Sequence, residues 1–138
     1  MEKTIRVLRL SFVTVALVLQ SCDEIYECLF NIEPEIHNKS LATATLGERY
    51  SDLVTAEIRN EVNDNDYDYD FYIVGELPPG IFYDINRRSV TFYGFPEEAG
   101  TYRFNVELSV SSYDYNGYDS SPTCSDSTVR AFMIRVVE

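Results

Sequence analysis

The stretch LPPGIFYDINRRSVTFYGFPEEAGTYRF, residues 77–104, sets two prolines and a glycine before a short apolar run. A polar turn, a second run ending Gly-x-Pro, and AGTY follow. Proline fixes φ and carries no amide hydrogen, so Pro78 and Pro79 mark an extended crossing between sheets that takes no extra ladder bond. Gly80 supplies the backbone freedom a corner needs, and Pro96 ends the second run without leaving an amide unpaired. These residues build a fold, and none of them is assigned to chemistry.

Strand periodicity continues on both sides of the stretch. In YRFNVELSV, residues Tyr102, Phe104, Val106, Leu108 and Val110 share one face, while Arg103, Asn105, Glu107 and Ser109 take the other. Tyr67, Tyr69, Phe71 and Ile73 oppose Asp68 and Asp70. Val54, Ala56 and Ile58 alternate with Thr55, Glu57 and Arg59, and Phe132, Ile134 and Val136 repeat the pattern near the end. Beyond the first 22 residues no helical period holds over a useful length, and no internal repeat is present. Half-buried strands separated by Gly, Pro, Asn and Asp predict an all-β chain, an antiparallel β-sandwich of about seven strands.

The motif set resembles the immunoglobulin-like family of bacterial extracellular proteins known as the He-PIG type, which is related to the cadherin-like domains of dystroglycan. The residues that carry it are Leu77-Pro78-Pro79-Gly80-Ile81, Asp84 and Asn86 in the turn, Gly94-Phe95-Pro96, and Ala99-Gly100-Thr101-Tyr102. LGERYSD (46–52) stands where that family opens with Gly-x-x-Tyr. The resemblance covers roughly residues 40–138 and implies an immunoglobulin-like sandwich. Arg87-Arg88 replaces the usual Thr-Gly, which leaves the geometry of that turn open. Tyr102 stands where a tyrosine corner would pin the loop entering the sixth strand.

Residues 1–21 combine a short basic region with an apolar run too short to span a bilayer with margin. They end in LQSC, which resembles the lipobox of bacterial lipoproteins, with Gln20 departing from the commonest pattern. That resemblance implies a cleaved signal peptide over 1–21, acylation of Cys22, and a tether over 22–39 ahead of the domain at 40–138. Membrane attachment then rests on the acyl chains, palmitate among them, at about 0.8 kcal/mol per buried methylene. An ordinary secretory leader cut elsewhere is the alternative. The address is the cell envelope, with the outer membrane expected and the choice between periplasmic and surface sides open.

Export puts the remaining cysteines, Cys28 and Cys124, in an oxidising compartment, and their even count favours one disulfide. Two free thiols or a bond to another chain are the alternatives. With that bond, only six residues separate Cys22 from a pinned chain start, a reach of roughly 20 Å at most. The end of the sandwich with the 60–66 and 111–124 loops would face the membrane, and Arg87-Arg88 with the LPPG corner would point outward.

The chain carries 23 acidic and 11 basic residues, a formal charge of −12. Removing Glu2, Lys3, Arg6 and Arg9 with the leader leaves 22 acids against 8 bases. Such a surface repels nucleic acid and anionic headgroups, so nucleic acid is excluded as a partner. One histidine, His37, and no tryptophan leave any nucleophile–base set to be built from carboxylates, and a small sandwich offers few deep clefts for one. No catalytic residue is assigned.

Two stretches remain as candidate sites. In NDNDYDYD (63–70), Asp64, Asn65 and Asp66 crowd three oxygen donors of the kind calcium takes, although Tyr69 stands where an EF-hand loop requires glycine. A solvated turn explains the same residues. SSYDYNGYDSSPTC (111–124) has the composition of antibody contact loops, with Tyr113, Tyr115 and Tyr118 as candidate partner contacts. The expected function is a lipid-anchored binding or adhesion module for protein or glycan. The alternative is a periplasm-facing accessory or scaffold subunit of an envelope complex.

Overall fold

The computed structural model describes residues 28–112 and 123–138. The leader, Cys22, and the tyrosines at 113, 115 and 118 lie outside the described residues. Eight strands form two four-stranded sheets: β1 (Glu33–Ile36), β2 (Ala44–Thr45), β3 (Tyr50–Arg59), β4 (Asp68–Gly75), β5 (Ile81–Asn86), β6 (Ser89–Gly94), β7 (Gly100–Ser111) and β8 (Ser127–Val137). One sheet runs β1-β3-β6-β5, the other β2-β8-β7-β4. Every pairing is antiparallel except β2 with β8, where Ala44 meets Val136 and Thr45 meets Val137 in parallel.

Two expectations change. The first strand is divided between the sheets, β1 joining β3 and β2 joining β8, which raises about seven strands to eight. The sandwich also begins at Glu33, inside the 22–39 stretch read as a tether. Ile36 is buried to 1% exposure, and Pro34 sits on an edge strand, where a missing amide hydrogen costs no ladder bond.

The alternating residues fill the core as their period requires. Phe104, Val106, Leu108 and Val110 of β7 face Val54, Ala56 and Ile58 of β3 across the sandwich, with Phe132, Ile134 and Val136 beside them. Phe92, Phe104 and Phe132 form a chain of rings from one sheet to the other, with centroids 5.0 and 6.2 Å apart. Each such side chain contributes about 1.5–3 kcal/mol by burial.

The 77–104 stretch supplies the β4–β5 and β6–β7 corners. Pro78 and Pro96 are fully buried. Gly80 and Gly94 both have positive φ, +82° and +143°, and they press together at the mouth of the β5–β6 hairpin. A Cβ on Gly94 would stand 2.1 Å from the Gly80 carbonyl oxygen. The amide of Phe95 donates to that same oxygen at 3.1 Å, Glu97 N–H donates to the Pro79 carbonyl at 2.8 Å, and Gly47 N–H donates to the Pro96 carbonyl at 2.8 Å. The tyrosine corner is present: the Tyr102 hydroxyl donates to the Glu98 carbonyl at 3.4 Å, and the ring lies against Gly100. At the other end, Asn86 pairs with Ser89, so Arg87-Arg88 forms a two-residue turn in which Arg87 takes φ +49°.

Candidate binding surfaces

The two ends of the sandwich differ in chemistry. One end gathers the first described residues, the β3–β4 loop, the β5–β6 turn, the end of β7 and the start of β8. Cys28 and Cys124 are joined by a disulfide there, across a sequence separation of 96. The Cys124 amide donates to the Ile32 carbonyl at 2.8 Å, and Asn60 Nδ2 donates to the Phe30 carbonyl at 2.8 Å. The β1–β3 register, with Glu33 opposite Arg59, places the first described residues at this end. Arg59 secures it by donating Nε and Nη2 to Glu35 Oε2 at 2.9 and 2.5 Å.

Arg87-Arg88 belongs to this same end, against the expectation that it points away from the chain start. Arg88 donates Nη1 to Asp64 of the β3–β4 loop, and its carbonyl accepts the Ala56 amide at 2.9 Å. In a sandwich of this topology the β3–β4, β5–β6 and β7–β8 connections all emerge on one side. Only the LPPG corner is opposite.

Asp64, Asn65 and Asp66 form a 3-10 turn on one wall of a cleft of about 360 Å³, with Arg87 and Arg88 on the other wall. Asp64 is already held by a guanidinium, and among the described residues no three His, Cys, Asp or Glu side chains converge. Tyr69 lines the same cleft with its hydroxyl buried. Burial first, then the Asp64 charge, push that phenol up to about 12, with Arg88 opposing.

The opposite end carries exposed aromatics, beside the exposed Glu97 and Glu98 of the β6–β7 corner. Phe82 and Tyr93 are cross-strand partners on the outer face of the first sheet, ring centroids 6.4 Å apart. They are 63% and 43% exposed, and Phe95, just beyond β6, is 57% exposed. Tyr93 and Phe95 line a shallow cleft of about 510 Å³ with Arg49, Ser51 and Thr91. The Arg49 guanidinium has no partner among the described residues. Sequence reasoning missed this surface. Both IFYD and TFYG are apolar at consecutive positions, so alternation alone could not say which ring faces out.

Two other features are weaker. A wider cleft of about 710 Å³ is lined by Val74, Arg103, Ala131 and Met133 with the 38–41 crossing, but its Lys39 is bonded to Asp52. Tyr72 and Val129 stand out from the second sheet with Glu107 between them, so they form no continuous apolar face.

No family model and no curated protein matches the sequence. Among solved structures the chain is similar to murine CRIg, with TM-score 0.51 and 7% identity over 77% of this chain and 99% of that one. It is also similar to domains 4 and 5 of the S-layer protein SbsC, at TM-score 0.44 and 9% identity over 77% and 54% of the two chains. For the PapD-like domain 7 of human CEP192 the values are 0.44 and 15% over 78% and 87%. At such identities the likeness is one of fold. The chain is an immunoglobulin-like β-sandwich.

Proposed function

We propose that the chain is a non-catalytic binding module of the He-PIG immunoglobulin-like type, held in a bacterial cell envelope by a lipid on Cys22. It meets a protein or saccharide partner through the Phe82–Tyr93–Phe95 end. The observation that carries this reading is the separation of the two ends. Glu33 and the disulfide sit at the Arg59 end of β3, whereas Tyr93 pairs with Ser51 at its start. Ser51 and Arg59 are eight residue steps apart along the strand, about 26 Å at the usual rise. A six-residue link from Cys22 to Cys28 keeps the first end near the bilayer and leaves the aromatic end free to reach a partner. Exposed aromatics, with an arginine unpaired among the described residues, are the side chains that dominate binding energy at contact surfaces.

In this orientation β7 ends at Ser111 and β8 begins at Ser127 on the membrane-proximal side, while Tyr113, Tyr115 and Tyr118 lie outside the described residues. The partner surface is therefore assigned to the aromatic end. Labelling cells with a palmitate analogue tests the anchor: label on the chain, lost in Cys22→Ser, is expected, and label retained in that variant refutes it. Protease added to intact cells tests the side. Digestion before lysis places the module outside; protection until the outer membrane is opened reassigns it to a periplasmic accessory role.

A further inference from the structure

We infer that the cleft between Tyr93, Phe95 and Arg49 binds an anionic saccharide, one carrying a carboxylate or a sulfate. The inference deepens the binding-module reading and rests on it. Aromatic rings offer flat apolar faces that match the C–H face of a sugar ring, and the Phe82–Tyr93 pair widens that platform beyond one residue. Ser51 and Thr91 place hydroxyls on the same outer face, opposite Tyr93 and Asp84 in the ladders. Sugar hydroxyls need such donors and acceptors at the edge of a stacking platform.

Charge selects the class of sugar. In a chain of net charge −12, the cleft is lined by one charged side chain, and it is cationic. Arg49 makes no ion pair or hydrogen bond within the described residues, so its fork of N–H donors is unused. A guanidinium holds a planar carboxylate or a sulfate through two parallel hydrogen bonds. The apolar patch is also small. Beyond the rings, the outer face continues through Leu53, 42% exposed, and then Asp84, Thr55 and Glu57, so the apolar surface stops short of the roughly 800 Å² per partner of a stable protein interface. A saccharide needs only one or two ring faces.

The test is an array of uronic-acid, sialic-acid and sulfated oligosaccharides beside neutral counterparts, probed with the full chain in detergent micelles. Preferential binding to the anionic set is expected. Arg49→Gln should lower it about tenfold or more, to the neutral level, as expected for loss of a charge-assisted hydrogen bond. Tyr93→Ser should abolish binding, with both variants melting like the parent. Carboxylated and sulfated arms separate the two sources of charge. Equal binding of acidic and neutral sugars, or binding indifferent to Arg49, overturns the inference. If no oligosaccharide binds at millimolar concentration while a cellular protein cross-links in a Tyr93-dependent way, the saccharide is refuted and the module survives. Loss of both refutes the module itself.

Discussion

Placing alanine at Gly94 tests the account of the 77–104 stretch, and Gly47→Ala provides an internal control. Both glycines have positive φ, +143° and +71°. The conformational cost of a side chain there is about 1–2 kcal/mol, partly offset by about 0.4–1 kcal/mol from the stiffer unfolded chain. At Gly47 nothing lies within 4 Å of the added carbon, so that difference is the whole effect, about 1 kcal/mol. At Gly94 the new Cβ would stand 2.1 Å from the Gly80 oxygen and 3.2 Å from the Ile81 Cα, and both are backbone atoms. The hairpin mouth must open, the Phe95–Gly80 hydrogen bond is lost, and buried Pro78 and Pro96 shift with it. A lost bond of this kind costs about 1 kcal/mol and repacking about 1–3 kcal/mol. The total for Gly94→Ala is about 4 kcal/mol. For a domain near 100 residues each kcal/mol moves the melting midpoint by about 4–8 °C. Thermal unfolding followed by circular dichroism should therefore drop by at least about 15 °C for Gly94→Ala, and by no more than about 8 °C for Gly47→Ala. Equal shifts would refute the close-approach reasoning.

Three further outcomes follow from the same geometry. Replacing Cys28 and Cys124 by serine releases a loop closed over a separation of 96 residues, and a cost of about 4–5 kcal/mol in urea unfolding is expected; a loss under about 1 kcal/mol would contradict a native bond. Acid should destabilise the fold through Glu35 and Asp52. The Glu35 carboxyl is lowered chiefly by its hydrogen bonds from Arg59, and Asp52, despite burial, is lowered by Lys39 and the Ala42 and Leu53 amides. A depressed native value gives stability that is complete above the unfolded carboxyl range and is lost as pH falls through the native one. Asp52→Asn should thus cost stability at pH 7 and converge with the parent toward pH 3; parallel curves contradict the assignment. Excess calcium against chelator should leave the melting midpoint unchanged, because Arg88 already neutralises Asp64; a rise would show a cation bound to the native state.

Strand faces were legible because period-2 burial leaves a direct trace, as in β7 and β8. The Gly80, Gly94 and Pro96 corner was legible because few residue types tolerate those backbone states. The disulfide followed from the parity of the cysteines. β1 was missed because four residues containing a proline carry too few alternations to register, although Ile36 is core. The side on which Arg87-Arg88 emerges depends on hairpin connectivity, which local pattern does not encode. The aromatic surface stayed hidden because exposed Phe82 and core Phe92 are chemically the same residue. Only the ladder that pairs Phe82 with Tyr93, and Tyr83 with Phe92, separates outer from inner face.

The central claim is that the aromatic end, and not the end near the chain start, meets the partner. A photo-reactive phenylalanine analogue in place of Tyr93, and in separate strains in place of Arg87, tests it on living cells. The account predicts an adduct of higher mass from the Tyr93 position and none from Arg87. An adduct from Arg87 with none from Tyr93 would contradict it and move the working surface to the loops at the disulfide end.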